Sequence, residues 1–134
     1  MEALKVCVDT DIIIDYLRGR NENQDILPHL ITKYDVYISP VSVYELYYGG
    51  YYSGRIKPVE DVLAMLTPFD WTTEDSIKAA QVHAALSKAG ETLNVKDALI
   101  AGPCLSRSVP LVTRNVSHFD RIKGLKVIDG TKYI

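Results

Sequence analysis

The sequence has little cysteine, little bulky aromatic carbon other than tyrosine, and no excess of either charge. Only Cys7 and Cys104 occur in 134 residues. They form no CxxC pair and no Cys/His spacing suited to zinc, which excludes a zinc-stapled module. Both sit in apolar surroundings and read as buried free thiols, a usage that fits a reducing cytoplasm. Net charge is -2, with Lys and Arg scattered, so no basic stripe announces nucleic acid by itself. That does not exclude nucleic acid, because a metal ion reverses the local sign of an acidic site. No stretch approaches the ~18 apolar residues of a membrane span, and the start shows no basic-then-apolar leader pattern. The expectation is a cytoplasmic protein without membrane attachment. Linkers, repeats and low-complexity stretches are also missing, so residues 1–134 are read as one domain.

What is present is an alternation of short apolar runs and helical patterns. Residues 4–9, LKVCVD, read as a strand buried on both faces, followed by a helix to about Arg18. Residues 23–34 read as a helix that tolerates Pro28 only near its first turn. DVYIS (35–39) is a second strand, and Ser39-Pro40 opens a helix as N-cap and first helical residue. Gly49-Gly50 is expected to stop or bend that helix. Further helices are expected over 57–67, over 73–90 with Thr73 as cap and a small-residue stripe of Ile77, Ala80, Ala84 and Ala85, and over 94–107 with a kink at Pro103. FDWT (69–72), VPLVT (109–113) and LKVID (125–129) read as short strands. Strands alternating with helices imply an α/β protein with a parallel sheet.

Acid recurs where such a sheet builds its sites. Ligands in open α/β sheets bind beyond the carboxyl ends of the strands, and Asp9 stands there. Asp9 or Thr10 could equally cap the next helix. Glu45 lies well inside the helix that opens at Ser39-Pro40, where it needs solvent or a partner. Asp97 suits the first turn of its helix on dipole grounds alone, but Ala98, Ala101 and Gly102 make that helix start close-packed and aim Asp97 at a cleft. A fourth segment, LVTRNVSHFDRI, ends a strand at Thr113 and continues with Arg114, Asn115, Ser117, His118 and Asp120; Phe119 and Ile122 are expected to pack inward. Carboxylates brought together repel and lose hydration, costs that raise their pKa values or demand a cation. Oxygen donors without thiolates point to Mg²⁺ or Mn²⁺. Such an ion activates water and stabilises the leaving oxygen of a phosphodiester.

These pieces, VDTDIIIDYLRG, SPVSVYELYYG, NVKDALIAG and LVTRNVSHF, resemble the PIN-domain family, specifically VapC-like toxins of toxin–antitoxin systems, in order and spacing over nearly the whole chain. The resemblance implies a three-layer α/β/α sandwich around a central parallel sheet. It implies a divalent-metal-dependent endoribonuclease, a homodimer, and inhibition by a cognate antitoxin. Asp9, Glu45 and Asp97 match the family's acidic metal ligands, and Thr113 its last-motif hydroxyl. Where the family often carries a further acid, this chain has Asn115 and His118; Asn115 can offer a carbonyl oxygen to a metal or orient water. Thr10 is a hydroxyl placed to support Asp9. Asp11 and Asp15 are read as facing solvent or a partner, and Asp120 as lying on the exposed side of its short helix. Arg18, Lys96, Arg114 and Lys123 could touch phosphates.

Two other readings stand beside this one. Asp9 and Asp11 form the Asp-x-Asp of a phosphoaspartate-type phosphatase, although no late Asp pair accompanies them. A PIN-like binding module without catalysis is the other. Of nine tyrosines, five crowd between Tyr44 and Tyr52. They cannot all face one core, so some are expected at a surface for an antitoxin, a second copy or RNA bases.

Overall fold

The computed structural model describes residues 3–134. The order is β1 (Lys5–Val8), α1 (Thr10–Arg18), a 3-10 turn (Glu22–Asp25), α2 (Ile26–Lys33), β2 (Asp35–Ile38), α3 (Pro40–Ser53), α4 (Ile56–Leu63), β3 (Thr67–Pro68), α5 (Thr73–Lys88), α6 (Val95–Arg107), β4 (Leu111–Thr113), α7 (Val116–Phe119), β5 (Val127–Asp129) and a closing 3-10 turn (Gly130–Tyr133). The five strands form one sheet in the order β3-β2-β1-β4-β5, every pair parallel.

Strand periodicity divides the core into two layers of side chains. Val6 and Val8 of β1, Val36 and Ile38 of β2 and Val112 of β4 point to one face, with Ile12, Ile13, Leu27, Leu30, Leu46 and Val59. The alternate residues Cys7 and Leu111 point to the other, with Ala98, Ile100, Ala101, Cys104 and Phe119. Helices α1 to α4 thus cover one face and α5 to α7 the other, the three-layer arrangement expected for an all-parallel sheet. Cys7 and Cys104 are free and buried. The neighbouring Cys104 thiol and burial push the Cys7 thiol well up, so it stays protonated. Among the described residues no helix is long and apolar enough to cross a membrane.

Chain order sets the place of the site. From β1 the chain winds to β2 and β3 on one side, then returns to lay β4 against the other side of β1. The winding reverses between β1 and β4, and a crevice opens at their carboxyl ends.

Four local expectations give way to packing. Gly49-Gly50 does not end α3, which runs on to Gly54 in the left-handed region (φ 73°). Gly50 is instead where α4 crosses: a Cβ there would lie 2.8 Å from Ile56 Cδ1. The third strand is Thr67–Pro68 rather than FDWT, because α4 ends at Leu63 and Thr67 pairs with Tyr37. Thr72, not Thr73, caps α5, in a capping box with Asp75. The buried face of α5 carries Asp75, Ala79 and Leu86, while Ile77, Ala80, Ala84 and Ala85 are exposed.

That last difference has a cause in α6. Gly102 lies against α5 so closely that a Cβ would meet the Asp75 carbonyl oxygen at 2.5 Å. Asp75, fully buried, accepts from the Thr72 backbone N–H at 2.9 Å, from Arg107 Nη1 at 2.7 Å and from the Ser106 hydroxyl. Arg107 also reaches the Asp70 carbonyl at 2.7 Å and stacks on Phe69. This network fixes α6, and with it the helix start that carries Asp97. Burial works against the Asp75 charge, but the bonds from Ser106, Arg107 and Thr72 outweigh it and hold the carboxyl below its ordinary 3.8. The stabilisation is therefore full above the unfolded carboxylate's value and is lost as pH falls through the lower folded one. Asp75→Ala is expected to cost about 3 kcal/mol at neutral pH, by stranding Arg107. Urea unfolding at pH 7 checks this, and the deficit should shrink below pH 4.

Candidate active site

Register brings the first two residues together. Val8 lies opposite Val112, so the next residues, Asp9 just past β1 and Thr113 at the end of β4, lie side by side. Thr113, wholly buried, donates its hydroxyl to Asp9 Oδ2 at 2.8 Å. Asp9 Oδ1 accepts the Thr10 backbone N–H at 2.8 Å, making Asp9 the N-cap of α1. Capping and a site role are thus not alternatives: one oxygen caps while the other is held by Thr113. Burial raises the Asp9 carboxyl above its ordinary value; the bonds from Thr113 and Thr10 oppose this, and the Asp97 charge adds to it.

Ser39 caps α3 through the Val41 N–H, with Pro40 as first residue. That start sets Ser42 and Glu45, three residues apart, on the face toward α1. The Thr10 hydroxyl bonds Ser42 Oγ at 2.8 Å and Glu45 Oε1 at 2.7 Å. The other Glu45 oxygen meets Lys96 Nζ at 3.3 Å. Lys96 precedes Asp97 in the first turn of α6, which Asn94 caps through the Lys96 N–H. Burial disfavours the Lys96 charge, but Glu45, Asp97 and Asp9 together outweigh it and raise its pKa. An ammonium thus sits among the three acids. Asp97 is largely covered and faces His118 Nδ1 at 3.8 Å.

The loop after β4 departs from the sequence reading. Asn115 gives its backbone N–H to Thr113 Oγ1 at 2.9 Å and its side-chain amide to Asp11 Oδ2 at 3.1 Å. It is thus turned to α1. Asp11 and Asp15 do not face solvent. Arg114 forks onto both oxygens of Asp15. Asp11 is half-buried, and its Oδ1 is the one buried side-chain N or O without a partner among the described residues. Burial, then the Asp9 charge, push its carboxyl to about 7, against Arg114. The signal was in the sequence: Asp11 and Asp15 are four residues apart, so one face of α1 carries both. Asp120 is exposed, while Phe119 and Ile122 are buried.

As they stand, no three His, Cys, Asp or Glu side chains among the described residues form a group able to hold a metal ion. Glu45 is committed to Thr10 and Lys96. The donor chemistry nevertheless fits a hard cation: buried or largely covered carboxylates at Asp9 and Asp97, buried hydroxyls at Thr10 and Thr113, and no thiolate among them. A magnesium-like ion needs only one or two protein carboxylates and keeps its waters. Two carboxylates stand at this crevice, Asp9 buried and Asp97 largely covered.

The PIN domain profile matches residues 6–125. The chain is 30% identical over 130 residues to the tRNA(fMet)-specific endonuclease VapC of Salmonella typhimurium, covering 94% of this chain and 98% of that one. It is 30% identical over 132 residues to ribonuclease VapC2 of Haemophilus influenzae, covering 92% and 96%. Among solved structures, DNA-bound VapBC from Salmonella typhimurium superposes with a TM-score of 0.83 at 27% identity, over 95% of this chain and 98% of that one. VapBC2 from Rickettsia felis, at 21% identity, shares the fold with a TM-score of 0.82, over 93% and 98%. The sheet order, the acids at its switch point and these matches agree: the chain belongs to the PIN-domain family.

Proposed function

We propose that this protein is the ribonuclease toxin of a toxin–antitoxin pair, cutting RNA phosphodiesters with the help of a divalent ion, Mg²⁺ or Mn²⁺. The observation that carries the reading is the buried Asp9 carboxylate, fixed by Thr113 and Thr10 and burdened by the Asp97 charge. Asp9 and Asp97 would hold the ion, and Glu45 would orient its water from behind. When bound, the ion supplies an activated water and offsets charge on the phosphate. Thr113 keeps one Asp9 oxygen aimed, and Lys96 at the rim passes from Glu45 to a phosphate oxygen as substrate enters. Family membership displaces the phosphatase reading. It leaves Asp11 without the role that the Asp-x-Asp reading gave it. The setting we assign is the cytoplasm.

Two surfaces suit protein partners. An open groove between α1, α3 and α4 is lined by Ile14, Leu17, Leu46 and Val59 with Arg18, Arg20 and Arg55, and it reaches Glu45. An apolar segment carrying acid fits that lining, and we assign it to the antitoxin. On α3, Tyr44, Tyr48, Tyr51 and Tyr52 are exposed. With Trp71 and Val95, also exposed, Tyr44 borders a second apolar hollow. We assign this side to a second copy of the chain.

RNA cleavage titrated with Mg²⁺ or Mn²⁺ tests the activity, with initiator tRNA as the first substrate because the Salmonella relative is named for it. Asp9→Asn and Asp97→Asn should each lower cleavage by more than the about 100-fold that loss of a supporting group costs. Parental rates in either variant, or cleavage that survives chelation, would contradict the reading. Co-purified antitoxin should suppress cleavage, and Leu17→Glu in the groove should relieve that suppression; an uninhibited purified complex would speak against it.

A further inference from the structure

Four residues form a continuous hydrogen-bonded path across the crevice. Asp11 Oδ2 accepts from the Asn115 amide at 3.1 Å; the Asn115 backbone N–H reaches Thr113 Oγ1 at 2.9 Å; Thr113 donates to Asp9 Oδ2 at 2.8 Å. Asp9 caps α1 and Asp11 lies in its first turn, so the path closes on itself and ties the start of α1 to the end of β4.

The direction of the protons makes this path matter. A threonine hydroxyl has one proton and a free choice of rotor. With the Asn115 N–H occupying its oxygen as acceptor, the Thr113 proton is left to point at Asp9. The Asp9 carboxylate is then locked at both oxygens, by Thr113 and by the Thr10 N–H. Asn115 follows β4 in a turn with φ -99° and ψ 59° and opens a helix of only four residues, without a side-chain cap bond of its own. Its exposed side chain has Asp11 as its hydrogen-bond partner. Asp11, in turn, keeps one oxygen buried and unpartnered. The Asn115 amide is thus the side-chain donor that holds the Asp11 carboxylate among the described residues.

We propose that Asp11 and Asn115 are positioning residues: a clasp that, through Thr113, aims the Asp9 carboxylate at its cation. Asn115 then acts on Asp9 and does not itself touch the ion or its water. The inference rests on the metal-dependent reading above.

A double-substitution cycle on the full chain, read by Mn²⁺ binding calorimetry, tests it. Asn115→Ala leaves the charge of the site unchanged and removes only the clasp. It should weaken Mn²⁺ binding by about tenfold in the parent, the size expected for a group that orients a ligand. In an Asp11→Ala background the clasp is already open, so Asn115→Ala should then cost less than about twofold. In Asp11→Asn, which keeps the acceptor oxygen, the full cost should return. Melting in chelator confirms that each variant is folded; Asn115→Ser serves where Ala is not. An equal loss in the parent and in Asp11→Ala would mean Asn115 meets the ion directly and would overturn the clasp. No loss in the parent would overturn it as well. A parent that binds no Mn²⁺ overturns the underlying reading and the clasp with it, whereas Mn²⁺ binding that vanishes in Asp9→Asn but shows no coupling sinks the clasp alone.

Discussion

The burial of one carboxylate governs this molecule. Asp9 follows the central strand of a parallel sheet, at the point where the winding reverses. Only two kinds of donor reach it there: the N–H at the start of α1 and the hydroxyl that ends β4. A carboxylate placed so deep loses its water, and the Asp97 charge makes its position worse. The two hydrogen bonds offset part of those costs, and a positive charge close by offsets more. The arrangement of α3, α6 and the β4–α7 turn follows from how that charge is met.

In the protein alone the charge is met by Lys96. Its ammonium bonds Glu45 and feels Asp97 and Asp9. Glu45 is therefore engaged by the lysine and by Thr10. A divalent ion held by Asp9 and Asp97 would bring more charge to a smaller place, and Lys96 would then be available to a phosphate at the rim. The rigid side of the site is α6, held to α5 by the Asp75–Arg107 network and by the Gly102 contact. The opposite side is the turn after β4, where Asn115 and Arg114 each hold an acid of α1.

Much of this was legible from residue order. The alternation of apolar runs with helical patterns yielded the parallel sheet, and strand ends in acid located the crevice. Ser39-Pro40 marked the start of α3 and so the depth of Glu45. Close packing at Ala98, Ala101 and Gly102 was readable because small residues cluster there. What failed depended on partners distant in sequence. Gly50 is small because α4 crosses it, not because the helix stops. Asp75 is buried because Arg107 and Ser106 come from another helix. Asp11 turns inward because Asn115, 104 residues away, holds it. No local pattern contains those partners, and the family resemblance, which points to Asn115 as a candidate ligand, does not contain the bond to Asp11 either.

The central claim is that buried acid at the end of β1 is there to take a cation, and thermal unfolding with and without millimolar Mn²⁺ measures it most directly. A ligand that binds only the folded state raises its stability by mass action. The melting temperature of the parent should rise with Mn²⁺, and that rise should disappear in Asp9→Asn. An equal rise in both proteins, or none in the parent, would contradict the account.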